Sequence, residues 1–209
     1  MTAAFMMLIV TSVCSLSAKH IYMPRAKIWS EAQADCRANF IDLSAITSKT
    51  ENEAFKMEHG DKSGWIGLYR DSTSPTEYSC SGWLLYSGFI PRDYFCFSLI
   101  VIEEKKSWEE ALEYCREKHA EITSLVSEHE VLLAQKVIQP NSITDPVWIG
   151  LCFLGNRWLW VNGDPLEYQA WTMGEEHSQC LEKGRCGALA KGGQWENRDC
   201  QERLSFICY

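Results

Sequence analysis

The sequence predicts an α+β protein built from two related units, and three observations carry that prediction. The pattern Trp-x-Glu-Ala-x-x-x-Cys, followed by Trp-Ile-Gly-Leu, occurs twice. Within the second copy two helical patterns come first and short strand-like runs follow, so helices and strands are segregated rather than alternating. Ten cysteines and nine tryptophans stand far above ordinary usage in 209 residues.

The first copy reads Trp29, Glu31, Ala32 and Cys36, then Trp65 to Leu68; the second reads Trp108, Glu110, Ala111 and Cys115, then Trp148 to Leu151. The offset is 79 residues from Trp to Trp and from Cys to Cys, and 83 at Trp-Ile-Gly-Leu. The second copy therefore carries four extra residues between helix and strand. Self-similarity of this kind marks a duplicated structural unit.

Residues 1–18 have the composition of a signal peptide, with a short apolar stretch from Phe5 to Val10 and small residues at Ser15, Ser17 and Ala18. That stretch is too short to span a bilayer, and no other run in the sequence is long enough. An exported chain turns its cysteines into a disulfide framework. With Cys14 removed, nine remain, and an odd count implies one free or interchain thiol. The net charge of −8 is spread without a basic block, which argues against nucleic acid and anionic membrane as partners.

In the second copy, Ser107 and Glu110 form a capping box that opens a helix near Trp108. Trp108, Ala111, Leu112 and Cys115 then share one buried face. Ser127 and Glu130 open a second helix, carrying Val131, Leu132, Val137 and Ile138, which Pro140 stops. Strands follow at Val147 to Phe153 and Trp158 to Val161, with a turn at Asn162-Gly163. From Pro165 to Lys183 the pattern is irregular and polar. Two last strands, Cys186 to Ala190 and Leu204 to Tyr209, bracket Trp195 and Cys200.

The first copy opens alike, with Thr50 and Glu53 as the capping box of its second helix. Trp83, Leu84, Tyr86 and Gly88 match Trp158, Leu159, Val161 and Gly163. It then stops, about twenty residues after Leu68, and the next unit begins near Asp93. A unit of roughly seventy residues usually needs a staple or a neighbour to be stable. Either it is poorly ordered, or it docks on the second unit, or the sequence omits an internal segment at the abrupt junction of Gly88 to Arg92.

Cys115, Trp148-Ile149-Gly150-Leu151, Cys186, Trp195 with Cys200 five residues on, and Phe206-Ile207-Cys208 together resemble the C-type lectin-like domain. The resemblance covers residues 93–209 in full and 19–90 as an N-terminal half. It implies the disulfides Cys115–Cys208 and Cys186–Cys200, two helices, small antiparallel sheets and a long irregular loop. On this alignment the first unit lacks counterparts of Cys186, Trp195, Cys200 and Cys208, which leaves Cys80 as the only candidate partner of Cys36 within it. Cys96, Cys152 and Cys180 fall outside the implied pairs.

Sugar-binding relatives hold Ca²⁺ in that loop, and such a cation wants six to eight oxygens. Here the ligand triplet aligns with Glu175-Glu176-His177, without its proline, and the later Glu falls near Gly184, beside Arg185. Glu196 and Asn197 follow Trp195. Glu175, Glu196 and Asn197 are the residues that would hold Ca²⁺ if it binds, a poor cage. The same loop can instead take a sugar without metal. Glu175, Glu176, His177, Glu196 and Asn197 would supply hydrogen bonds, and Trp171 or Trp195 a stacking face. Trp148, Trp158, Trp160 and Trp195 read as core. Zinc at His177, Cys180 and Cys186 lacks a second tight ligand pair, and no hydrolase, phosphate-loop or metalloprotease motif is present.

The expectation is a secreted, non-enzymatic recognition protein for a glycan or glycoprotein. The alternative is a protein-binding or disulfide-linked dimer module of the same fold.

Overall fold

A computed structural model describes residues 19–67, 89–139, 143–172 and 185–209. Two compact units divide them, residues 19–98 and 99–209. The boundary therefore falls after Ser98 rather than near Asp93, and the strand Arg92–Phe97 belongs to the first unit.

The second unit opens with β4 (Ile100–Lys106), α3 (Trp108–Lys118) and α4 (Glu128–Ile138). Its other strands are β5 (Val147–Leu154), β6 (Arg157–Trp160), β7 (Arg185–Leu189), β8 (Trp195–Asp199) and β9 (Leu204–Cys208). Five of them form a sheet in the order β4-β9-β5-β7-β8, with β6 hairpinned onto β5. Ser107 caps α3 as expected: its hydroxyl accepts from Glu110 N–H, and the Glu110 carboxylate accepts from Ser107 N–H at 3.0 Å. At α4 only half of that exchange forms. Ser127 accepts from Glu130 N–H, while the buried Glu130 carboxylate reaches one residue further back, to Val126 N–H.

Trp108, Ala111 and Cys115 are buried on α3 and pack with Ile122, Trp148, Ala188, Phe206 and Cys208. Trp148, Trp160 and Trp195 are fully enclosed, each contributing roughly 2–3 kcal/mol of apolar burial. Trp158, expected in the core, is only half-buried, because it sits at the turn end of the β5–β6 hairpin. The strand at Trp195 was not anticipated; its sequence, Trp-Glu-Asn-Arg-Asp, is polar except for the tryptophan.

The first unit contains β1 (His20–Lys27), α1 (Trp29–Asn39), β2 (Asp42–Leu43), α2 (Lys49–His59) and β3 (Arg92–Phe97), with sheet order β1-β3-β2. The cap of α2 is Ser48 with Glu51, not Thr50 with Glu53. Cys36 is bonded to Cys96 rather than to Cys80; Cys80 lies outside the described residues.

Candidate functional site

Cys115–Cys208 and Cys186–Cys200 are both formed, with Cα separations of 5.4 and 5.1 Å. The first ties α3 to β9, closing the unit's two ends. The second ties β7 to the residue just past β8 and holds the region between them. Cys186 is consumed by this bond, which removes it as a zinc ligand.

The irregular segment between β6 and β7 enters the sheet at Trp195. Trp195 N–H donates to Ala170 O at 2.6 Å and Thr172 N–H donates to Trp195 O at 3.1 Å, so this stretch runs beside β8. Glu175, Glu176, His177 and Cys180 lie outside the described residues. Glu196 and Asn197 are adjacent in β8, where successive side chains leave on opposite sides of the sheet. They do not converge on one point. The Glu196 carboxylate meets Arg198 Nη1 at 3.5 Å, and Arg198 also holds Glu202 through Nε and Nη2, at 3.1 and 2.7 Å. Asn197 Oδ1 is buried below the surface.

This arrangement does not fit the calcium ion that the fold family implies. A hard cation needs several converging, uncompensated oxygens. Here a guanidinium already sits on the Glu196 carboxylate, and a second cation beside it is opposed electrostatically. Among the described residues, no cluster of three or more His, Cys, Asp or Glu side chains is placed to hold a metal.

Of the two tryptophans expected to stack on a ligand, Trp195 is fully buried and Trp171 half-buried. Trp171 packs at 4.5 Å from Trp158 and 5.5 Å, edge to face, from Trp195. Phe153 stands 5.3 Å from Trp158 across the hairpin. Sequence reasoning places Trp158 in the core and gives Phe153 no role at the site. The available signal was the Gly155-Asn156 turn, which places them at the exposed end of a two-stranded ribbon; both turn residues have positive φ, 59° and 62°.

The unpaired cysteine among the described residues is Cys152, on β5. It is half-buried, and burial pushes its thiol up to about 11. No helix among the described residues is long and apolar enough to cross a membrane.

The Lectin C-type domain family matches residues 104–209, half of the chain, and the chain belongs to that family. Proteins of that family are binding proteins rather than enzymes. Human C-type mannose receptor 2 is 31% identical over 106 residues, which are 49% of this chain and 7% of the receptor. The chain thus spans only a small fraction of that relative's length. Subunit B3 of the snaclec coagulation factor IX/factor X-binding protein from Trimeresurus stejnegeri is 28% identical over 142 residues, 66% of this chain and 98% of that protein. The solved structure of human lithostathine is 25% identical, with a TM-score of 0.48, covering 53% of this chain and 88% of its own.

Proposed function

We propose that the chain is a secreted recognition protein whose second unit binds a carbohydrate, on a glycan or glycoprotein, without calcium. The observation that carries this reading is the Arg198 guanidinium seated against Glu196. It places a positive charge 3.5 Å from a carboxylate that a calcium-dependent site would need. The half-buried rings of Trp158 and Trp171 support a sugar ligand, since aromatic faces suit the C–H groups of a pyranose. Residues 1–18 act in this reading as an export signal. Residues 19–98 derive from a shortened copy of the same domain, and the loop residues Glu175, Glu176 and His177 add hydrogen bonds to the ligand. A glycan array probed with the full chain, with and without chelator, tests this. Binding that survives chelator but weakens in Glu175→Ala and Glu196→Ala supports the reading; loss of binding in chelator defeats it.

A second reading is a protein-binding or dimer-forming module with no sugar activity. The snaclec relative favours it: it matches along 98% of its length, and its name describes a subunit of a protein that binds coagulation factors. A silent glycan array, together with a disulfide-linked dimer on a non-reducing gel, would select this alternative.

A further inference from the structure

Helix α2 differs from its counterpart α4 at the positions that the second unit buries. In α4, Val131, Ala134 and Ile138 are 4%, 0% and 1% exposed. Gln135 Nε2 donates to Lys191 O at 3.0 Å and so holds the turn between β7 and β8. The offset of 79 puts Asn52, Phe55, Lys56 and His59 at the same four positions of α2. Two aliphatic residues are thus replaced by Asn and His, the small Ala by Phe, and the Gln by Lys. The alignment gives the first unit no counterpart of Cys186 or Trp195, which flank that turn.

These four residues of α2 line a cavity of about 290 Å³. Part of its wall is aromatic: His59 packs on Phe55 at 4.4 Å and on Phe95 at 4.8 Å between ring centroids. Ile46 and Ile66 add aliphatic surface. A cavity of this size is at the small end of ligand pockets, so it suits one ring or a short branched chain.

Its charged groups favour an anion. Lys56 and Lys62 line it, both exposed, and no acid lines it among the described residues. Of the acids on this segment, Glu53 pairs with Lys49 at 3.7 Å, and Glu58 and Asp61 lie outside the lining. Lys62 rests over the Tyr22 ring at 4.9 Å, which orients the ammonium without cancelling its charge. His59 is 8% exposed, and its Nε2 is buried without a hydrogen-bond partner, the Glu58 carboxylate stopping 3.6 Å away. A buried polar atom left unpaired is costly, and a ligand bringing acceptor oxygens into the cavity that His59 lines relieves that cost.

We propose that this cavity is a binding site for a small carboxylate with an aromatic or branched apolar body. The body lies against Phe55, Phe95 and Ile66, and the carboxylate meets Lys56 at the rim. The site belongs to the first unit and stands apart from any sugar held by the second.

The test follows the backbone amide signals of the isotope-labelled full chain by NMR. The chain is titrated with phenylacetate, with its neutral amide, and with acetate, which keeps the carboxylate and lacks the ring. Phenylacetate should shift signals within residues 52–66 in a saturable way, and the amide and acetate should each bind roughly three- to tenfold more weakly. Lys56→Gln, which places the second unit's residue at that position, should remove the acid's advantage over the amide and leave the amide's affinity unchanged. The proposal is overturned by the absence of a saturable shift there, by equal affinity for phenylacetate and either comparison ligand, or by full acid selectivity in Lys56→Gln.

Discussion

Cys36 is bonded to Cys96 at the place in the first unit that Cys115 and Cys208 hold in the second. The surrounding backbone agrees. Phe40 N–H donates to Cys36 O as His119 N–H does to Cys115 O, and Ile41 N–H donates to Phe97 O as Ala120 N–H does to Tyr209 O. Trp29 and Trp108 each donate an indole N–H at 2.8 Å, to Ile66 O and Ile149 O. Trp65 and Trp148 donate theirs to Lys27 O and Lys106 O. The first unit is therefore closed end to end by its own strand β3.

Removing that closure should destabilise the first unit. The bond spans 60 residues of sequence, and a loop of that size is worth roughly 4 kcal/mol in the chain-entropy picture. Cys36→Ser with Cys96→Ser should melt the first unit well below wild type, read by hydrogen exchange in residues 20–59. Protection that remains unchanged would show that the bond contributes nothing.

Close approach of β7 to β5 requires a glycine. A Cβ at Gly187 would lie 2.7 Å from Leu151 Cβ. Gly187→Ala should lower stability by about 1–3 kcal/mol, the usual range for overpacking. Denaturant titration measures it, and a midpoint equal to wild type would contradict the packing described.

Acid should weaken the first unit. His20 is buried between Phe55 and Phe97, and burial, followed by the charges of Lys19 and His59, lowers its pKa to about 3. The unfolded chain then binds a proton below its ordinary value of 6.5 while the folded chain does not. Stability is full above that value and falls as pH drops toward 3, by at most about 1.4 kcal/mol per pH unit from this residue. Denaturation of His20→Phe across the same pH series should give a flatter profile; an equal slope would remove His20 as the cause.

Cys152 should be a sluggish thiol. With its pKa pushed up to about 11, almost none is thiolate near neutrality. Iodoacetamide on the native protein should label it far more slowly than on the unfolded protein, as mass spectrometry of the Cys152 peptide would record. Equal rates would contradict its burial.

Much of the second unit was legible in the sequence because its signals are local or cross-linked. Ser107 and Glu110 fixed the start of α3, and the spacing of Trp108, Ala111 and Cys115 fixed its buried face. What escaped was of two kinds. Strands β1 and β3 carry too little alternation to be recognised, so Tyr94-Phe95-Cys96-Phe97 reads as the start of the next unit although it closes the first. The expected α2 cap, Thr50 with Glu53, lies two residues past the observed Ser48 with Glu51, although the offset of 79 from Ser127 leads directly to Ser48. At the candidate site, Glu196 and Asn197 looked contiguous in sequence. The sheet sends them to opposite sides, and the charge that decides their role, Arg198, lies one residue further on.

Titration of the strongest array ligand into the full chain, once in calcium and once in chelator, measures the proposed metal independence most directly. The expected result is one dissociation constant in both buffers. Binding seen only with calcium would contradict it, because Glu196 would then have to leave Arg198 to meet a cation.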